Sequence, residues 1–178
     1  MSVRVMLDTN AVAALVKARS PALEDYLLGR AVCISVVTEA EVLYGLARRP
    51  VGVALRRVVE GLLATVENLP WDSACAATYG SLRAQLETLG KSLAPMDLLI
   101  AAHSLAVGSP LVTADRAFAQ VPGLSVVVWS AKGVTALTES PASRVRRKLA
   151  GKGITPTDVD KAVAHARTRV RKARHRTK

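Results

Sequence analysis

Short apolar runs alternate along the chain with longer stretches that repeat apolar positions at helical spacing. Residues 3–7 are an apolar run broken only by Arg4 and ending at Asp8, which reads as a buried strand. Residues 10–17 are helical in pattern, and Pro21 opens a second helix with Leu23, Tyr26 and Leu27 on one face. Residues 32–37 read as a second buried strand. A helix is expected from Thr38, because Thr38 followed three positions later by Glu41 is a capping-box pattern. Residues 51–65 and 72–89 predict two amphipathic helices. Pro95 suits a helix first turn, and that helix continues to Ala106 until Gly108 stops it. Residues 111–113 predict a strand, 115–119 a short helical turn, and 125–129 a last strand. Strands alternating with helices imply an α/β fold, a mostly parallel central sheet with helices on both faces. The sheet domain is expected to span residues 1–130. Residues 131–141 read as a linker, and the remainder of 131–178 as a basic helical C-terminal tail.

Composition narrows this picture. Half of the 178 residues are apolar, enough for one core without disulfides or structural metal. Cys33 and Cys75 each sit among apolar neighbours with no metal-binding spacing, and read as small core residues of a reducing compartment. No signal-like segment and no long uncharged apolar stretch occurs, so a soluble, cytoplasmic protein with no membrane segment is expected. The net charge of +11 would suggest nucleic acid, but its distribution is uneven. Residues 131–178 hold 14 Lys/Arg against three acids (Glu139, Asp158 and Asp160), which leaves the first 130 residues with no net charge. Whatever the first 130 residues do must therefore be argued from particular side chains.

Four acids fall where an α/β fold builds sites. Asp8 ends the first strand, and Asp115 lies just past the 111–113 strand; open sheets bind ligands outside the carboxyl ends of their strands. Glu41 and Asp97 fall in first helical turns that can point at the same edge. Two carboxylates ~4 Å apart repel by about 4 kcal/mol at an effective dielectric near 20, so such a cluster calls for a cation. Oxygen donors select Mg²⁺ or Mn²⁺, which can lower the pKa of a water and stabilise the leaving oxygen of a phosphodiester. Each acid also has a plain structural use. Glu41 can close the capping box, Asp97 can answer the helix dipole, Asp115 can serve a turn, and Asp8 can cap a helix.

The motifs around these acids are recognisable together. Met6-Leu-Asp-Thr-Asn10, then Ile34-Ser-Val-Val-Thr-Glu-Ala-Glu-Val-Leu-Tyr-Gly45, resemble the opening of VapC-type PIN domains. Pro95-Met-Asp-Leu-Leu-Ile-Ala-Ala-His-Ser-Leu-Ala106 and Leu111-Val-Thr-Ala-Asp115 resemble that family's third and fourth motifs. Phe118 and Val121-Pro-Gly-Leu124, leading to Trp129, are similar to its closing strand. The resemblance assigns Asp8, Glu41, Asp97 and Asp115 to a metal-binding, catalytic acidic set. Glu39 competes with Glu41 but lies about 200° away around the helix, and the family's Ala-Glu with a later Gly matches Ala40-Glu41 and Gly45. Thr9, Asn10 and Thr113 are polar neighbours that can hold the acids or a water in place, and Asn10 can equally cap the first helix. The resemblance implies a Mg²⁺- or Mn²⁺-dependent endoribonuclease that cleaves RNA with metal-activated water. It further implies the toxin of a type II toxin–antitoxin pair, a homodimer, an antitoxin protein as partner, and tRNA, rRNA or mRNA as substrate.

Some residues stand outside that reading. His103 faces away from Asp97 and reads as structural; Trp71 and Trp129 read as packing anchors. In the tail, Thr155 and Pro156 open a helix whose Val159, Val163, Ala166 and Val170 form an apolar stripe. The tail is a solvated arm, an RNA-gripping arm, or an antitoxin-like segment lying over the acids. Arg167, Arg169 and Arg171 are its candidates for inhibitory or RNA contact. Two rival functions remain. A phospho-acceptor or Mg²⁺-binding regulatory domain without nuclease activity would want a lysine on the strand after Asp115, and residues 125–129 contain none. A protein that binds nucleic acid through its tail alone would tolerate loss of the acids.

Overall fold

The computed structural model describes residues 4–48, 51–130 and 132–137. The chain opens with β1 (Arg4–Leu7), α1 (Thr9–Val16) and α2 (Pro21–Leu27), followed by β2 (Ala31–Ser35), α3 (Val36–Arg48) and α4 (Val53–Thr65). Next come β3 (Glu67–Leu69), α5 (Ser73–Thr88), α6 (Pro95–Val107) and β4 (Leu111–Thr113). A 3-10 helix (Arg116–Gln120), β5 (Val126–Ser130) and β6 (Gly133–Ala136) complete the described elements. The strands form one sheet in the order β3-β2-β1-β4-β5-β6, parallel throughout except for the antiparallel β5–β6 pair.

Strand residues alternate between two cores, as a period-2 pleat requires when both faces are covered. Met6, Cys33, Leu111, Val126 and Val128 pack with Leu82 and Leu86 of α5 and Leu98, Ile100, Ala101 and Ala102 of α6. Val5, Leu7, Ile34, Val112 and Val127 face the other way, against Ala11, Val12 and Ala14 of α1 and Leu23 of α2. Neither cysteine is paired, and burial pushes the Cys33 thiol up to about 11, which suits a core residue rather than a reactive one.

The strand order places the site. From β1 the chain steps outward to β2 and β3, then returns to the other side of β1 as β4 and β5. Neighbouring connections diverge between β1 and β4, and ligands of open α/β sheets sit at that switch point, beyond the strands' carboxyl ends. Asp8 follows β1 directly and Asp115 follows β4 by two residues. Helix α6 runs back across the sheet before β4, so its first turn, with Asp97, stands at the same carboxyl edge. Gly108, in the left-handed conformation (φ 66°), ends α6 and turns the chain into β4.

Three features differ from the sequence expectation. The sheet does not end near residue 130, because β6 pairs from Ser130–Gly133 to Val127–Ala136 within the stretch read as a linker. Strand β3, Glu-Asn-Leu at a sheet edge, carries no apolar run to announce it. Helix α3 begins at Val36 rather than at Thr38: the Ser35 hydroxyl accepts the Val37 N–H (3.1 Å), while Thr38 is buried, its hydroxyl 3.5 Å from the Leu7 carbonyl. Thr38 is therefore no cap, and the capping box with Glu41 does not form. The described residues fall within one compact unit, Met1–Ser140. The predicted tail helix, with Arg167, Arg169 and Arg171, lies outside the described residues.

Candidate active site

Asp8 is the deepest of the four acids, 2% exposed. Its Oδ1 accepts the Ala11 N–H at 2.7 Å, which makes it the N-cap of α1. Its Oδ2 accepts the Thr113 hydroxyl at 2.5 Å, and Thr113 in turn accepts the Asp115 N–H at 2.9 Å. The first and last acidic positions are thus tied through one buried threonine on the neighbouring strand. Burial pushes the Asp8 carboxyl up to about 6; the Thr113 and Ala11 hydrogen bonds pull it down, and Asp97 and Asp115 push it further up.

The other acids approach from three elements. Asp97, half-buried in the first turn of α6, is raised above its ordinary value by burial first, then by Glu41 and Asp115. Glu41 is the sixth residue of α3, in its second turn rather than its first, and accepts the Thr9 hydroxyl at 2.5 Å. Glu39 points elsewhere, its carboxylate accepting the Asn68 side-chain amide on β3. Asp115 caps the 3-10 helix through the Ala117 N–H (2.7 Å). Asn10 is not the cap of α1, since Asp8 takes that place; it lies exposed within the helix, on the wall of an open cleft beside Asp115.

The structure therefore brings Asp8, Glu41, Asp97 and Asp115 to one edge, with Thr9 and Thr113 each bound to one of them. Ion pairs among the described residues, Arg4–Glu67, Arg56–Glu60 and Arg83–Glu87, involve none of the four. Mutually repelling carboxylates that form no ion pair among the described residues offer a divalent ion a matching charge. Among the described residues, no three such groups converge closely enough to enclose a bare ion. Carboxylate oxygens of this kind are hard donors, the type that Mg²⁺ and Mn²⁺ take.

His103, fully buried on α6, has its Nδ1 2.8 Å from the Ser35 hydroxyl, and burial holds its pKa below the ordinary value. It takes no part in the acidic edge, as its angular position on the helix predicts. Trp71 meets Tyr79 edge-on and reaches the Leu99 carbonyl (3.5 Å). Trp129 packs against the second core and also lines the cleft beside Asp115, a role that sequence reasoning did not assign; Lys17 and Arg19 on that cleft were likewise missed. Nothing short-range marks them, because the cleft forms only when the α1–α2 turn meets β5.

The model of the PIN domain family matches residues 5–124. The tRNA(fMet)-specific endonuclease VapC of Shigella flexneri is 33% identical over 130 residues, covering 71% of this chain and 98% of that protein. Ribonuclease VapC2 of Haemophilus influenzae is 31% identical over 129 residues, covering 71% of this chain and 98% of that protein. Among solved structures, VapBC2 of Rickettsia felis bound to a DNA fragment from its promoter superposes with a TM-score of 0.68 at 26% identity, over 72% of this chain and 100% of that one. DNA-bound VapBC of Salmonella typhimurium gives 0.63 at 31% identity, over 73% of this chain and 100% of that one.

Proposed function

This chain belongs to the PIN-domain family, among its VapC ribonucleases, and on that footing we propose that it is the endoribonuclease toxin of a toxin–antitoxin pair. The observation that carries the chemistry is Asp8, buried and raised to about 6, facing Asp97 and Asp115 with no cation paired to any of them among the described residues. Asp8, Asp97, Glu41 and Asp115 would hold Mg²⁺ or Mn²⁺. A divalent ion bound there supplies charge that makes a water nucleophilic near neutral pH and stabilises the departing oxygen of an RNA phosphodiester. The chain's own part is positioning. Thr113 orients one oxygen of Asp8 and the Asp115 backbone together, Thr9 orients Glu41, and α6 carries Asp97 to the edge where the connections from β1 and β4 diverge.

RNA is the substrate class, tRNA is the first candidate because relatives are named for it, and the cytoplasm is the place of action. The partners in this reading are an antitoxin protein and a second copy of the chain. The test is cleavage of tRNA and of total RNA by purified protein, with sequencing of the RNA ends. EDTA should abolish cleavage, and Mn²⁺ should restore it at least as well as Mg²⁺. Asp97→Asn should remove it while circular dichroism stays unchanged. Full activity in excess chelator would overturn the proposal.

A further inference from the structure

We propose that the turn joining α1 to α2 is a phosphate grip for the RNA strand, with Lys17 and Arg19 holding a nucleotide that flanks the one cleaved at the acids. This rests on the ribonuclease reading and names part of its substrate track. Lys17 and Arg19 line an open cleft of about 420 Å³ together with Asn10, Ala114, Asp115 and Trp129. One wall of that cleft therefore carries Asp115, one of the four acids, and the other is the turn. Both cations are exposed, and neither belongs to an ion pair among the described residues.

The turn is built to hold its shape. Ala18 adopts the left-handed conformation (φ 46°), the helix-ending position that favours glycine. The Ala18 N–H bonds Leu15 O (3.0 Å) and the Arg19 N–H bonds Ala14 O (3.1 Å), the two bonds of a Schellman ending. Directly beyond, Ser20 caps α2 through the Leu23 N–H (3.3 Å), and Pro21 fixes its first residue. Lys17 and Arg19 thus project from a segment clamped at both sides, with a non-glycine residue kept in a costly conformation between them. Backbone held against its preference is characteristic of functional loops. A plainer use exists, since cations at a helix C-terminus answer its dipole. That use accounts for neither the shared cleft with Asn10 and Asp115 nor the placement of two cations beside a site for an anionic polymer. In a domain whose first 130 residues carry no net charge, two cations that form no ion pair among the described residues are a substantial share of its hold on RNA.

The test compares the full chain with Lys17→Gln/Arg19→Gln, and with Arg30→Gln as a charge control at the opposite edge of the sheet. Binding of an end-labelled single-stranded RNA is followed by anisotropy against salt, in an Asp97→Asn background so that the RNA stays intact. Each phosphate contact on a single strand contributes about 0.7 to the salt slope. The double variant should therefore lower the slope by about 1.4 and weaken binding about fifteen-fold at 0.15 M salt. In the active background KM should rise correspondingly with kcat within about twofold, whereas a purely structural role would lower the melting temperature and leave KM in place. Equal slopes for wild type and double variant would overturn the proposal, as would an equal drop per charge in Arg30→Gln. Loss of inhibition by a partner protein with RNA binding unchanged would also overturn it, by making the cleft a protein-contact surface. The binding arm needs no turnover, so a lowered slope in a chain that never cleaves RNA would sink the ribonuclease reading and leave the grip standing.

Discussion

Replacing Asp8 by asparagine should stabilise the metal-free protein above pH 6 while destroying its activity. The carboxyl of Asp8 moves from an ordinary 3.8 to about 6 on folding, chiefly because burial disfavours its charge. At about 1.4 kcal/mol per pH unit, that gap amounts to about 3 kcal/mol. A carboxyl raised in this way favours the folded state while protonated, fully so below 3.8. It loses that favour as the pH climbs through about 6. At pH 7.5 without divalent ions, wild type therefore carries a cost of about 3 kcal/mol that a neutral amide does not. Asparagine keeps the cap, because its carbonyl can still accept the Ala11 N–H, and its amide can donate to the Thr113 oxygen in a reversed bond that frees the Thr113 hydroxyl proton. For a chain of this size 1 kcal/mol is worth roughly 2–4 °C, so Asp8→Asn should melt about 6–12 °C higher in EDTA at pH 7.5. The gain should shrink to nothing near pH 4. Magnesium should raise wild type toward the variant and leave the variant where it was. Thermal melts read by circular dichroism at pH 4, 5.5 and 7.5, with and without Mg²⁺, decide the matter. A variant less stable than wild type at pH 7.5, or a difference that does not change with pH, would refute the account of Asp8 as a charge held against its preference.

Other outcomes follow from the same geometry. Thr113→Val removes the hydroxyl that donates to Asp8 and accepts from Asp115; loss of these buried bonds should cost about 1–3 kcal/mol, and the acid limb of the pH–rate profile should move upward. An unshifted limb would mean that Thr113 does not tune Asp8. Ala18→Gly relieves left-handed strain of about 1–2 kcal/mol and adds unfolded-chain entropy of about 0.5–1 kcal/mol. A net gain of about 0.5–1 kcal/mol is expected in urea unfolding, and a loss would show that the turn is not strained. Truncation should be made after residue 140 rather than 130, because a cut at 130 removes β6 from the sheet. The 1–140 chain should keep its melting cooperativity and its metal-dependent cleavage. A fall in RNA affinity with a flatter salt dependence marks residues 141–178 as an RNA arm, and a rise in rate marks them as inhibitory.

The parallel sheet was legible because buried strands leave unbroken apolar runs, as in residues 5–7 and 126–128, and because Pro21, Pro95 and Gly108 punctuate the helices between them. What failed was short or exposed. Strand β3 is held by pairing Cys33–Glu67 through Ser35–Leu69 at an edge, and nothing in Glu-Asn-Leu advertises it. Strand β6 exists because β5 offers it a free edge, which is a property of the assembled sheet and not of Gly-Val-Thr-Ala. The start of α3 was displaced for a related reason. Thr38 looks like a cap by its side chain alone, but its burial against the Leu7 carbonyl turns the same hydroxyl to a tertiary use, and Ser35 takes over the end of the helix.

The acidic residues were legible as a set through their motifs, but their electrical state was not. Asp8 owes its environment to Thr113, 105 positions away, and its repulsion to Asp97 and Asp115, which arrive with α6 and β4. Spacing within β1 and α1 predicts a helix cap just as well as a ligand; Asp8 is the cap of α1, and the proposed function makes it a ligand as well. Its Oδ1 serves the helix while its Oδ2 faces Thr113, so the two hydrogen bonds hold the carboxylate in one orientation. A carboxylate held by two hydrogen bonds has little freedom to turn around an ion. Mg²⁺ demands near-ideal octahedral geometry and keeps several waters, whereas Ca²⁺ takes six to eight oxygen ligands, waters included, in looser geometry. Ca²⁺ should accordingly bind without supporting turnover, and it should compete with Mg²⁺ in proportion to its occupancy. Cleavage sustained by Ca²⁺ at the Mg²⁺ rate would contradict this reading of the fixed Asp8 carboxylate.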